Sequence, residues 1–376
     1  MTAHRLKMLV TAPIDRSDGS PLPFVGLEDI ESGTGKLMSR ELPTKAAHDS
    51  ILFRESDVLF SKLRPYLAKS FIASAPGSGT GELLVLRSRG EIEPRFLFYS
   101  TLSSHWLEWA KITAYGTKMP RTSWEAMSEY RLDHPALVDQ RRITDFLDAE
   151  TARIDKLVNL RTLQVNKMKA GLTSEAARID KSHQRLPLRR FVESAQTGTT
   201  PTEMLRPMDL GGLPWYTPAA LGATLDLSNA DKCVSSDDSS RIPRFQAESI
   251  LIVGIGESLG KVAELNHTAT GNQQLTAIKI GNNADHRFVL WQLFSAYEEI
   301  RAWAQYSRIR ILNNEVLKSF RIPVPPLDQQ IRRRQELDER LADFNEFRNS
   351  ATHFVRLAIE RRQALITAAV TGEITV

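Results

Sequence analysis

The sequence predicts an α+β protein. Two mixed α/β, β-rich domains are separated by two long helices that pair as an antiparallel coiled coil, and the halves are related by an internal pseudo-twofold repeat. Three observations predict this: a loose internal repeat, an alternation in each copy of Gly- and Pro-punctuated stretches with a stretch almost free of both, and a 3-4 apolar spacing within the latter.

The repeat comes first. Arg95-Phe96 in "PRFLFYSTL" returns as Arg287-Phe288 in "HRFVLWQLF", and 287 − 95 = 192. The same offset sets "DVLFSKLRPYLAKSFIA" from Asp57 against "SILIVGIGESLGKVAEL" from Ser249, matching Lys69 to Lys261, and places Leu83 and Leu86 on Leu275 and Ile278. "YRLDHPALVDQRR" from Tyr130 echoes "FRIPVPPLDQQIRR" from Phe320 (320 − 130 = 190), and "KAGLTSEA" after Met168 resembles "RQALITAA" after Arg361.

Each copy has two parts. The first holds short β-rich runs, such as Leu83–Leu86 and Ile250–Ile255, with one helical patch around Phe96–Ala110 or Phe288–Ala304. The second follows Pro135, or Pro323, Pro325 and Pro326. From Leu337 a 3-4 alternation lands on Leu337, Leu341, Phe344, Arg348, Ala351, Val355, Ala358, Arg362, Leu365 and Ala369. The earlier stripe, Leu147, Thr151, Ile154, Val158, Arg161, Val165, Met168 and Leu172, is less apolar. Each helix could reach ~60 Å at 1.5 Å per residue. A face packed on its own globular domain is the plainer reading of such a stripe; two matched helices, each supplying the partner the other needs, favour the pair. The expected boundaries are 1–135 and 185–326 for the mixed domains, and 136–184 and 327–376 for the helices.

Composition narrows the function. A chain of 376 residues accommodates two or three domains. Its 41% hydrophobic and 25% charged content excludes wholesale disorder. The run Ile250–Ile255 is broken by Gly254 and falls far short of the ~20 residues of a membrane span. Met1–Val10 is charged with no apolar stretch after it, so neither secretion nor membrane insertion is expected and the cytoplasm is. The one cysteine, Cys233, excludes an internal disulfide framework, a Cys-rich zinc site and a CxxC centre, and its Ser/Asp-rich surroundings predict an accessible loop thiol. Lys and Arg total 49 against 45 Asp and Glu, a mild excess that permits an anionic partner without demanding one.

Catalytic signals are weak. "GTGKL" (Gly33 to Leu37) resembles the end of a phosphate-binding loop, but Ile30 stands where its first Gly belongs and Leu37 replaces the Mg²⁺-binding hydroxyl. "GIGESLG" (Gly254 to Gly260) places its third glycine one position late for a dinucleotide fingerprint and reads as a tight turn between strands. There is no HExxH, no histidine pair at metal-ligand helix spacing and no Asn/Asp-Pro-Pro-aromatic motif. No catalytic residue, metal ligand or cofactor site is expected in this chain.

These features together have a recognisable pattern. A β-rich domain, a Pro-rich exit ending in "PPLDQQ", a long helix and an end reading "RRQALITAAVTGEI", in duplicate, resemble the specificity subunit of type I restriction-modification systems. "GLEDIESGTGKL" (Gly26 to Leu37), "DVLFSKLRPYLAK" and "GTKMPRTSWEAM" (Gly116 to Met127) look like that family's target-recognition-domain signature, and the likeness covers about residues 5 to 376. In the second copy "GTKMPRTSW" becomes "SRIRILNNE" (Ser307 to Glu315) and "GLEDI" becomes "TPAAL" (Thr217 to Leu221), a departure that bears on the target more than on the fold. The resemblance implies a non-catalytic reader of double-stranded DNA. Each recognition domain would bind one half of a bipartite, asymmetric site, with the helices as a spacer. It further implies two docked modification subunits using S-adenosylmethionine, and restriction subunits using ATP and Mg²⁺.

Candidate DNA contacts follow from charge and hydrogen-bonding type. Lys and Arg neutralise phosphates, Arg suits guanine, and Asn or Gln suits adenine. The first domain offers Lys62, Arg64 and Lys69 in "SKLRPYLAK", and Lys118 and Arg121 in "YGTKMPRTSW". The second offers Arg308, Arg310, Asn313 and Asn314 in "YSRIRILNNE", Gln273 and Gln274 in "TGNQQLT", and Lys261 for a phosphate. Against this, "RIR" also reads as one face of a strand, "NN" as a plain turn, and a single surface Arg as a solvated charge. Arg332-Arg333-Arg334 and Arg141-Arg142, at the helix starts, read equally as phosphate grips or as a solvated face. Two other classes stay open: a self-contained DNA-modifying enzyme, and a coiled-coil scaffold without DNA binding.

Overall fold

The computed structural model describes residues 2–39, 42–46, 48–178, 183–306 and 310–376. It divides into two units: Met1–Arg161 with Thr352–Val376, and Thr162–Ala351.

The first unit is built on an antiparallel sheet of β1 (Val10–Thr11), β2 (Val58–Ser61), β3 (Ser70–Ile72) and β4 (Leu83–Ser88), ordered β1-β4-β2-β3. Its central strands read as continuous apolar runs because both faces are covered. Leu84 and Leu86 enter one core with Phe96 and Trp106, while Leu83 and Val85 enter another with Val25 and Phe53. That second core lies under a smaller sheet in which Phe24 pairs in parallel with Ser78. The helical patch splits into α1 (Pro94–Leu102) and α2 (Ser104–Ile112). Glu93 caps α1 by accepting from the Phe96 N–H, and Ser103 caps α2 by accepting from Trp106.

The second unit repeats this plan. Its sheet holds β5 (Val192–Thr197), β6 (Ser249–Val253), β7 (Val262–Leu265) and β8 (Leu275–Ile280) in the order β5-β8-β6-β7. The register repeats residue for residue at the 192 offset: Val58 faces Leu86 and Ile72, and Ile250 faces Ile278 and Glu264. A parallel pairing, Trp215 with Thr270, recurs in its smaller sheet. Helices α4 (His286–Ser295) and α5 (Tyr297–Trp303) follow, with Asp285 capping α4 as Glu93 caps α1.

The long helices α3 (Leu137–Ala176, 40 residues) and α6 (Leu327–Thr371, 45 residues) begin directly after the proline punctuation. Each is tied to its mixed domain by the same two devices. Gln140 accepts from the Glu93 N–H and donates to the Pro135 carbonyl; Gln330 does the same with Asp285 and Pro325. Arg95 pairs with Asp145 and Asp148 of α3, and Arg287 with Asp338 of α6. Every position of the α6 stripe from Leu337 to Ala369 is buried or half-buried, Arg362 included, while Met168 is the exposed member of the α3 stripe.

Two motifs find structural explanations. In "GTGKL", Gly35 has φ +79° and a Cβ there would lie 2.1 Å from the Phe98 ring, so the glycine lets the loop close onto α1. "GIGESLG" is the turn between β6 and β7, with Gly256 and Gly260 at φ +99° and +89°. Cys233 departs from the expected accessible loop: it is fully buried in the strand Lys232–Val234, its thiol against the Pro207 and Gly211 carbonyls. The hydrophilic residues around it in sequence lie in the turns flanking that short strand.

His286 opens α4 with both ring nitrogens buried and without a hydrogen-bond partner, its nearest carboxylate oxygen being Glu264 Oε1 at 3.8 Å. Burial holds the imidazole below its usual value against the opposing pull of Asp285. The fold therefore favours the neutral ring, and the unfolded chain takes up the proton first as pH falls. This contribution to stability is whole above about pH 6.5 and is lost as pH drops below it. Burial raises the Glu264 carboxyl, which acts in the opposite sense in more acid solution. Subtracting the unfolding midpoints of His286→Leu from those of the wild type between pH 7.5 and 5.5 isolates the histidine. The variant should lose less stability on acidification, and parallel profiles would refute the assignment.

Candidate nucleic-acid interface

The loop clusters expected to touch DNA converge on one place in each unit, the cleft at the C-terminal end of β2 or β6. In the first unit the Lys62 N–H donates to the Glu82 carbonyl at 2.8 Å, and the Thr122 N–H donates to the Lys62 carbonyl at 3.0 Å. In the second, Gly254 donates to Gln274 at 2.7 Å, and Leu312 donates to Gly254 at 2.8 Å. The bridge Leu63–Arg121 recurs as Ile255–Ile311. Thus the segment after the strand, the turn before the next strand and the loop ahead of the long helix are laced together identically in both units.

What lines the two clefts differs. The first, about 300 Å³, presents Arg16, Lys62, Glu82, Tyr115 and Arg121. The second, about 370 Å³, presents Thr197, Gln273, Asn313, Asn314 and Glu315 around Ile255 and Ile311. One backbone frame thus carries a charged set in one copy and a largely amide set in the other.

Several candidate residues are committed within the protein. Arg121 forms a bidentate ion pair with Glu82, with Nη2 to Oε1 at 2.9 Å. Lys69 donates to the Leu27 carbonyl. Gln274 accepts from Asn272 and donates to the Ile255 carbonyl, which shapes the turn. Asn313 caps the helix Asn314–Ser319 by accepting from Val316, the place Ser123 fills for Trp124–Met127. Gln273 accepts from Thr200, and Asn314 from Thr197 at 3.4 Å.

Others are displayed. Arg64 is exposed, held in left-handed backbone geometry (φ 47°) by its N–H bond to the Pro120 carbonyl. Lys118 is exposed on the adjoining loop, and Lys261 is exposed at the start of β7. Arg310 lies in a two-residue strand paired with Gln305–Tyr306, while Arg308 falls outside the described residues. Exposed Tyr66, Tyr115 and Met119 stand in sequence among Arg64 and Lys118; the candidate set omitted them because it was chosen on charge and amide groups alone. Of the basic helix starts, Arg333 donates to the Glu175 carbonyl and carboxylate, and Arg334 pairs with Asp285 at 3.6 Å. Among the described residues no cluster of His, Cys, Asp or Glu has the arrangement of a metal site, and no helix is long and apolar enough to cross a membrane.

The comparisons agree with this architecture. Residues 189–346 match the family model "Type I restriction modification DNA specificity domain". The chain is 29% identical over 157 residues to the type I restriction enzyme EcoDI specificity subunit of Escherichia coli, covering 40% of this chain and 34% of the relative. It is 28% identical over 232 residues to the EcoR124I/EcoR124II specificity subunit of the same organism, covering 59% of this chain and 55% of that one. These matches thus span about a third to about half the length of those relatives. A solved chain from a study of complex assembly and conformational transition of the type I R-M system superposes with a TM-score of 0.75. At 18% identity it covers 99% of this chain and 98% of that one, a likeness of fold. Together with the duplicated architecture, these matches make the chain similar to the specificity subunits of type I restriction-modification systems, with residues 189–346 matching their DNA specificity domain.

Proposed function

We propose that this chain is the non-catalytic, cytoplasmic DNA-reading subunit of a type I restriction-modification complex, residues 1–135 and 185–326 each reading one half of a bipartite, asymmetric site. The observation that carries the reading is the pair of equivalent clefts, identical in backbone hydrogen bonding and different in side chains. A common frame with divergent lining is what two different half-sites call for, since base edges are read by side chains held at fixed register. Arg64, Lys118 and Lys261 serve phosphates. Gln273, Asn313 and Asn314, whose amide oxygens are engaged within the chain, offer their NH2 groups to base edges; Lys62 faces the first cleft, and Lys69, Arg121 and Gln274 chiefly shape the loops.

Helices α3 and α6 pair antiparallel as the spacer. Two sets of contacts support this: Arg362 with Asp155, and Arg161 against the Phe354 ring, in the first unit, and Arg333 with Glu175 in the second. Exposed Leu157, Leu160, Leu357 and Ile359 supply apolar surface for docking two modification subunits. Those subunits would bring S-adenosylmethionine, and restriction subunits ATP and Mg²⁺, so that this chain holds no cofactor of its own.

Adenine methylation mapped across the genome with and without this gene tests the reading. Loss of methylation at one split, asymmetric motif is expected, and an unchanged pattern beside an intact, expressed modification gene would end the proposal. At the residue level, Arg64→Gln with Lys118→Gln should reduce the slope of log affinity against log salt by about 2 while leaving the recognised bases unchanged. An unaltered slope would remove both from the interface.

A further inference from the structure

The junction between mixed domain and long helices is built twice, with opposite electrostatic outcomes. In the first unit it is closed. The Arg362 guanidinium of α6 donates to the Gly33 carbonyl at 2.6 Å and the Thr34 carbonyl at 3.0 Å, and it faces Asp155 of α3 at 3.5 Å. Lys36 pairs with the same Asp155 at 2.6 Å, and Lys69 is bonded to the Leu27 carbonyl. Every cation there meets an acceptor.

In the second unit the corresponding place is an open cleft of about 400 Å³. Lys169 and Thr173, one turn apart on α3, form one wall; Thr224 and Lys261 form another; Phe294 and Tyr297 of the α4–α5 corner form the third. Lys261 stands at the repeat position of Lys69 (69 + 192 = 261) but has no counterpart of the Leu27 bond. Lys169 is half-buried. Neither ammonium has a hydrogen-bond or ion-pair partner among the described residues. The nearby acid, Asp226, is already engaged by Arg348 at 3.6 Å and by the Thr224 N–H and hydroxyl. Burial first, and then repulsion from Lys261, depress the Lys169 ammonium below its ordinary value. Two cations share a half-enclosed space whose one nearby acid, Asp226, is shared with Arg348.

We infer that this cleft is a phosphoryl-binding site, in which Lys169 and Lys261 hold the oxyanion against an aromatic wall of Phe294 and Tyr297. Two compact ammonium groups suit a tetrahedral, multiply charged oxyanion better than a single carboxylate. The phosphoryl group has two possible sources: a backbone phosphate of the DNA this chain is proposed to read, or a free phosphorylated small molecule. The first source rests on the DNA-reading proposal; the site itself does not.

Inorganic phosphate titrated into the purified full chain at low ionic strength, followed by calorimetry with sodium acetate as the control, tests the site. Saturable binding of phosphate is expected, weakened at least tenfold by Lys169→Gln and by Lys261→Gln and retained by Lys169→Arg. Circular dichroism of each variant reports the fold, and the arginine variant guards against a merely structural effect. Phosphate binding that is absent, or equal in wild type and glutamine variants, overturns the inference. Duplex affinity against salt then separates the sources. A slope lower by about 1 in each glutamine variant identifies a DNA phosphate, and an unchanged slope alongside lost phosphate binding identifies a free ligand. Should the wild type bind no duplex, the DNA-reading proposal fails while the phosphate titration still decides the site.

Discussion

Removing one heptad from each long helix, residues 158–164 from α3 and 350–356 from α6, should abolish recognition of the native bipartite site while leaving nonspecific DNA affinity nearly intact. These segments span the boundaries between the two units, at Arg161/Thr162 and Ala351/Thr352. Seven residues at 1.5 Å each shorten the spacer by ~10 Å, about 3 bp of B-DNA. A heptad is close to two full turns, so the apolar stripes stay nearly in register and both mixed domains keep their own contacts. Specific affinity typically exceeds nonspecific affinity by roughly 10³–10⁷, and the whole of that margin is at stake because both half-sites must be engaged together. Competition binding with the native duplex and with a scrambled one measures it. A retained preference for the native spacing would show that the helices do not set the distance.

The second large effect concerns Arg362. Its guanidinium is almost wholly buried, with two carbonyls as its acceptors and the Asp155 carboxylate facing Nε at 3.5 Å without a hydrogen bond. Arg362→Ala removes the cation and leaves those half-buried acceptors without it, Asp155 keeping only Lys36, a change that costs about 1–3 kcal/mol. The loss should be local to the first unit. Hydrogen exchange in α1 and α2 should report opening free energies lower by that amount, while β6 and β8 keep theirs. Arg362→Lys, which retains the charge but not the planar fork, should fall between. Equal protection in wild type and Arg362→Ala would mean that the loop at Gly33–Thr34 is held by other contacts, with Lys36 on Asp155 the first to examine.

The sequence by itself determined the duplicated plan, because periodicity and punctuation are local properties. The 192-residue offset proved to be a strand register, Val58 on Leu86 and Ile250 on Ile278. The prolines before α3 and α6 mark where the helices begin, and the 3-4 stripe from Leu337 falls on buried or half-buried positions. The glycines of "GIGESLG" were legible as a turn because positive φ is a demand on one residue at a time. The region of the candidate site was legible too, since loops rich in Lys, Arg, Asn and Gln sit at matched places in the repeat.

What each of those side chains does was decided by tertiary structure alone. Charge and hydrogen-bonding capacity are written in the residue type, but whether a partner already satisfies them depends on neighbours far along the chain. Arg121 is taken by Glu82 and Lys69 by a carbonyl at Leu27, while Arg64 is left exposed. Cys233 lies among hydrophilic residues in sequence and is buried in space, because a three-residue strand interrupts its loop. Arg362, an interruption of the apolar stripe when read in one dimension, becomes the buried cation that joins α6 to the loop at Gly33, and Lys169, far from Lys261 along the chain, comes to share a cleft with it. Spacing along the chain sets which face of an element a residue occupies; only the packing of elements sets which charges find partners and which are left to bind something else.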